Sequence, residues 1–157
     1  MSEHIDVKIG DESVDRNAPR GARVKDCAFL CYEYADSVAI DEGIVEIGDS
    51  SFACCKQLRS IKLPRSLKMI GRCAFCGCVE LEKLRKVSIP AGQEYIEPNA
   101  FANCESLTEV SIADGIKRID CYAFDKCQSL THIFIPRSVV EIGKCAFPGE
   151  AVVTFMD

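Results

Sequence analysis

Apolar positions recur along this chain at a spacing of 23 residues, and phenylalanine marks the recurrence best. Phe29, Phe52, Phe75, Phe101, Phe124 and Phe147 are separated by 23, 23, 26, 23 and 23 residues. Five residues before each stands Val24, Ile47, Ile70, Ile96, Ile119 or Ile142, and one before stands Ala28, Ser51, Ala74, Ala100, Ala123 or Ala146. Three after come Tyr32, Cys55, Cys78, Cys104 and Cys127; six after come Ala35, Leu58, Leu81, Leu107 and Leu130. Self-similarity at a fixed period of this length is the mark of a stacked-repeat architecture. The one irregular unit carries three extra residues within Glu82-Lys-Leu-Arg-Lys86, and the register resumes at once, so a local loop or bulge is expected to absorb them.

Within each unit, the segment before the proline column alternates, as in Ser60-Ile61-Lys62-Leu63-Pro64 and His132-Ile133-Phe134-Ile135-Pro136. Two inward aliphatic side chains around one outward residue predict a short strand. Proline, with a fixed φ and no donor, is expected to end it at 64, 90 and 136. An apolar anchor follows (Ile44, Leu67, Ile116 or Val139, but Gln93 in the irregular unit), then the isoleucine column. Gly48, Gly71 or Gly143 is then expected to turn the chain toward Ala-Phe, with a short helical turn on the far side. No unit buries its apolar set alone; stacking supplies each column with neighbours above and below.

The ends depart from the repeat. In residues 1–23, Ile5, Val7 and Ile9 alternate with His4, Asp6 and Lys8, which predicts a capping strand over residues 4–9. Gly10-Asp11-Glu12-Ser13 then reads as a turn and Asp15 to Gly21 as a polar connector. Residues 24–149 hold about five repeat units. In the last, Phe147 is followed by Pro148-Gly149-Glu150, and residues 150–157 with Ala151-Val152-Val153-Thr154-Phe155 read as a shortened terminal strand closing the stack.

The combined pattern Ile-Gly-x-x-Ala-Phe-x-x-Cys-x-x-Leu-x-x-Ile-x-Ile-Pro-x-Ser-Val, seen in Ile70-Gly-Arg-Cys-Ala-Phe75-Cys-Gly-Cys78 and Ile135-Pro-Arg-Ser-Val139, resembles the leucine-rich repeat of the BspA or Treponema pallidum type. The resemblance covers residues 24 to about 149. It implies an α/β-type solenoid that is mostly β: a right-handed leucine-rich repeat stack with a concave parallel sheet and an irregular or short-helical convex side. It also implies function by binding, since relatives of this kind are adhesins, surface antigens and other interaction proteins.

Composition and charge narrow the field. A chain of 157 residues with 48% hydrophobic content is expected to form one folded domain. No apolar run reaches the length of a spanning helix, and Met1-Ser-Glu-His-Ile-Asp lacks the basic and apolar regions of a signal peptide. If Met1 is the true start, a cytoplasmic location is expected; a cell-surface one would need an export signal outside this chain. A net charge of -5 argues against nucleic acid and anionic membrane as partners.

Eleven cysteines, an odd number on repeat-phased positions, argue against a disulfide framework. Cys55, Cys78, Cys104 and Cys127 form one column and read as buried free thiols packing as small hydrophobes. A zinc site from Cys73, Cys76 and Cys78 with Cys54 and Cys55 one coil away is the alternative, but it needs a strained coil to converge the sulfurs. No metal or cofactor is therefore assigned. His4 and His132 are the two histidines, no nucleophile motif or phosphate loop appears, and no catalytic residue is assigned.

Binding is the better reading, and strand parity locates it. Side chains pointing away from the core are Ser37 and Ala39, Ser60 and Lys62, Lys86 and Ser88, Glu109 and Ser111, and His132 and Phe134. Phe134, an aromatic in a row of serine and lysine, is a candidate anchor. The expected site is therefore Lys62, Lys86, Ser88, Glu109, Ser111, His132 and Phe134 on the concave face. Lys62, Lys86 and His132, with Arg65 and Arg137 just past the prolines, are expected to make this face less acidic than the whole chain, which suits an acidic peptide as the protein or peptide ligand. A surface adhesin or antigen fragment is the alternative function, with a zinc-binding or redox-responsive cysteine protein behind it.

Overall fold

The computed structural model describes residues 6–8, 13–19, 21–81, 86–89 and 94–156, the spans 6–8 and 86–89 by their backbone alone. Every coil contributes one longer and one two-residue strand. The longer strands are β4 (Ser37–Ala39), β6 (Ser60–Lys62), β8 (Lys86–Ile89), β10 (Glu109–Ile112), β12 (His132–Pro136) and β14 (Val152–Met156). The short ones are β3 (Arg23–Val24), β5 (Glu46–Ile47), β7 (Met69–Ile70), β9 (Tyr95–Ile96), β11 (Arg118–Ile119) and β13 (Glu141–Ile142). All pairing within these two series is parallel and in register with the repeat.

Alternation in the longer strands sets their two faces. Val110, Ile112, Ile133 and Ile135 are buried, while Glu109, Ser111 and Phe134 are half-exposed and His132 is exposed. The residues between the strands complete each interior: Cys104, Leu107, Ile116 and Ile119 are all fully buried with Phe101. Burying one such Leu, Ile or Phe side chain contributes about 1.5–3 kcal/mol.

The phenylalanines form a single file. Ring centroids from Phe29 through Phe147 are 5.1, 5.4, 5.4, 5.3 and 5.8 Å apart, with planes within 17° of parallel. The backbone holds them there: the Phe29, Phe52, Phe75, Phe101 and Phe124 amides donate to carbonyls of the following coil at 2.7–2.9 Å.

Several features differ from the sequence expectation. The far side of the coil is not helical among the described residues; the isoleucine column forms the second parallel ladder, and tight turns with positive φ carry the chain to phenylalanine. Gly48, Gly71 and Gly143 are not needed for a glycine-only φ. A Cβ on Gly48 would lie 2.7 Å from the Asp26 amide nitrogen, and one on Gly143 would lie 2.5 Å from that of Cys121, so close approach of the preceding coil excludes a side chain. The strand end expected at Pro136 is found there: it is the last residue of β12, paired with Met156.

The three-residue insertion interrupts both ladders. Among the described residues, β6 and β8 fall in separate sheets, as do β7 and β9. The turn side continues across the gap, with the Phe75 amide donating to Ala100 at 2.9 Å and the Gly77 amide to Ala102 at 2.8 Å. The phenylalanine turns are therefore the continuous spine, and the strand side takes up the irregularity. Residues 82–85 and 90–93, with Pro90 and Gln93, lie outside the described residues.

At the amino-terminal end β1 (Asp6–Lys8) adds parallel to β4. The expected connector contains a further strand, β2 (Val14–Asp15), antiparallel to β3, which buries Val14 over the first coil. His4, Ile5 and Ile9 to Glu12 lie outside the described residues. At the other end β14 adds parallel to β12, with Val152 and Phe155 exposed.

Candidate functional site

Register places the expected binding residues in two files on the sheet β8–β10–β12–β14. One runs Lys86, Glu109, His132, Val152 and the other Ser88, Ser111, Phe134, Thr154. The side chains of Lys86 and Ser88 lie outside the described residues. Lys62 is exposed on β6, in register with Ala39, and belongs to the other sheet. The interruption between β6 and β8 thus separates Lys62 from the other six.

Phe134 is half-buried between Ser111 and Thr154 in its file. Both of these register neighbours are small. His132 is exposed, and its Nδ1 lies 3.0 Å from the Thr131 hydroxyl. Glu109 stands between Lys86 and His132, so this file mixes charges. The Arg65 amide donates to the Glu42 carboxylate at 3.1 Å, which ties the segment past Pro64 to the preceding coil.

On the outer face of the short-strand ladder, charged side chains pair with one another. Arg23 Nε lies 3.0 Å from Glu46, Arg118 contacts Asp120 at 3.0 Å, and the Arg118 guanidinium sits 4.7 Å above the Tyr95 ring. Beside it, Lys117 donates to Glu94 at 2.7 Å; this contact lowers the Glu94 pKa and raises that of Lys117.

A second exposed group went unforeseen. Tyr34 is 70% exposed and packs edge-on against Tyr32, 5.9 Å between centroids, which in turn meets Phe29 at 6.1 Å. A shallow groove bounded by Tyr34, Lys56, Arg59 and Glu80 opens beside it. The available signal was Tyr32 in the column that holds cysteine elsewhere: an end coil has no preceding coil to demand a small side chain there.

The cysteines sort by backbone position. Cys55, Cys78, Cys104 and Cys127 are buried, and each thiol donates to the carbonyl of the preceding coil's phenylalanine, at 3.1, 3.2, 3.3 and 3.1 Å. Burial pushes the Cys55 thiol up to about 11 and Cys78 well above its ordinary value; contact with the Cys127 thiol, then burial, does the same for Cys104. Cys27, Cys31, Cys54 and Cys145 are exposed on the turns. The five thiols considered for zinc do not converge, since Cys55 and Cys78 are committed to the interior. Among the described residues no three His, Cys, Asp or Glu side chains are placed to hold a metal ion.

Comparison with known proteins agrees with this architecture. A family model described as BspA type leucine rich repeat region matches residues 22–153 in six copies. No curated protein matches the chain. The fold is similar to that of a leucine-rich cell surface protein from Faecalibacterium prausnitzii A2-165, at 26% identity and a TM-score of 0.72 over 92% of this chain and 39% of that one. It is also similar to the leucine-rich repeat protein of T. pallidum, at 26% identity and a TM-score of 0.67 over 83% of this chain and 65% of that one. The chain thus spans less than two thirds of the length of either solved structure.

Proposed function

The chain belongs to the BspA-type leucine-rich repeat family, and on that premise we propose that it is a protein-interaction module that binds a protein or peptide segment on the outer face of the longer-strand sheet. The supporting observation is the make-up of the longer-strand face, which presents serine, threonine and mixed charge around the half-buried Phe134 ring, a polar surround for one aromatic anchor. Lys86, Ser88, Glu109, Ser111, His132 and Phe134 form the proposed contact set, with Lys62 as an outlying cation across the sheet interruption. Main-chain groups of β10 and β12 are occupied by pairing on both sides, so recognition across the middle of this face falls to side chains.

The test is affinity capture with the wild-type chain beside a Lys62→Glu, Lys86→Glu, Phe134→Ala variant and a turn-side control, Lys126→Glu. Partners held by wild type and control but lost from the triple variant support the surface. Equal retention by all three places recognition elsewhere.

The F. prausnitzii relative is described as a cell surface protein, which favours display on a cell surface over the cytoplasmic location expected from the first residues. Protease accessibility on intact cells distinguishes the two.

A further inference from the structure

We propose that Cys31 and Cys54 form an oxidisable dithiol site that closes into a reversible disulfide between the first two complete coils. The inference does not rest on the interaction reading. Both residues occupy the position two after phenylalanine, on the outer turn. Both have left-handed backbone, with φ of 56° and 58°, so the two turns share one conformation and direct the two side chains alike. The Cys31 amide donates to the Ala53 carbonyl at 2.8 Å, which holds the turns one ladder spacing apart. That spacing, about 4.8 Å, lies within the Cα separation a disulfide spans. Both cysteines are exposed.

The rest of this file shows why the pair is special. The next three positions are Gly77, Asn103 and Lys126, so thiols are adjacent only in these first two coils. In the parallel file two before phenylalanine, Cys27 and Cys73 are separated by Ser50. The interior file also stacks thiol above thiol, but its members are buried, where an oxidant has no access and the thiolate is disfavoured. Partial desolvation and the neighbouring Cys54 hold the Cys31 thiol above its ordinary value, while the nearby Lys56 ammonium acts in the opposite direction.

The oxidant is a peroxide. One thiolate attacks a peroxide oxygen; the O–O bond breaks, hydroxide leaves, and a sulfenic acid forms. The second thiolate attacks that sulfur; the S–S bond forms, the S–O bond breaks, and a second hydroxide leaves. With the two thiol protons, both hydroxides become water, and two electrons have passed from sulfur to peroxide. Because translation-related side chains lie parallel, the bridge requires rotation about χ1 and should reduce readily with a small dithiol.

The experiment treats the full, reduced chain with hydrogen peroxide under native conditions. Remaining thiols are blocked with N-ethylmaleimide, and trypsin with a glutamate-specific protease separates the two cysteines for non-reducing mass spectrometry. The expected first product retains nine blockable thiols, eleven less two. Its linked peptide joins Cys31 to Cys54, its melting temperature is raised, and dithiothreitol reverses both changes. Cys31→Ser should lose the linked peptide and the melting shift, while Cys145→Ser keeps both. A first bond between Cys73 and Cys76, bonds spread over the exposed thiols, or oxidation to sulfinic acid without a bond would each overturn the assignment.

Discussion

Two adjacent positions of the repeat carry cysteine, one in four successive coils and the other in the first two, and they live in opposite surroundings. Cys55, Cys78, Cys104 and Cys127 point inward, are buried, and donate to phenylalanine carbonyls. Cys31 and Cys54, one residue earlier in the turn, are exposed on left-handed backbone. A single peptide step turns the side chain from core to solvent. Spacing therefore says that a thiol is repeat-phased, whereas turn geometry says whether it packs, caps a carbonyl or meets solvent. The interior thiol is more than filler, because it combines small volume with a donor, which alanine lacks.

The largest expected effect comes from emptying the interior beside the buried thiols. Phe101→Ala removes a ring stacked on both sides and should cost about 3–5 kcal/mol, measured by urea unfolding. Phe147→Ala, at the half-exposed end of the file, should cost less than half as much; equal losses would break the inside–outside distinction. Next, Cys104→Ala opens a small cavity and withdraws the donor from the Phe75 carbonyl, for about 1–3 kcal/mol. Cys145→Ser, on an exposed turn, should stay within about 0.5 kcal/mol.

Ser51 sharpens the comparison from the opposite direction. It takes an alanine position in the repeat, is fully buried, and its hydroxyl has no hydrogen-bond partner among the described residues. Ser51→Ala should therefore stabilise the fold by about 1 kcal/mol. The last effect is a pH dependence. Cys55 has an ordinary value of 9.0 and is pushed up to about 11 in the fold, chiefly by burial. A thiol with its pKa raised by folding favours the folded state fully below about 9, and that advantage is lost as pH climbs through about 11. The urea midpoint should fall more steeply between those values for wild type than for Cys55→Ala, and parallel curves would remove Cys55 as the cause.

The phenylalanine file, the inward parity of Val110, Ile112, Ile133 and Ile135, and the parallel addition of successive strands were all legible in the residue spacing. The second ladder was not: a two-residue strand such as Arg118–Ile119 carries one inward side chain, and one residue has no period. The left-handed turns at Cys27, Cys73 and Tyr122 were equally silent, because none of them is glycine or asparagine. For the proposed surface, parity could list Lys62 beside Lys86 and Glu109. Only pairing showed that Lys62 stands on another sheet.

The residues alone determined the repeat length, the inward set and the family resemblance, because burial of one side chain in each column is a local demand that every coil makes alike. The tertiary structure decided where the ladders break, which thiols lie side by side and which sheet each exposed strand residue belongs to. Those depend on distances between coils, and a residue that satisfies its own coil carries no record of what its neighbour in the next coil does.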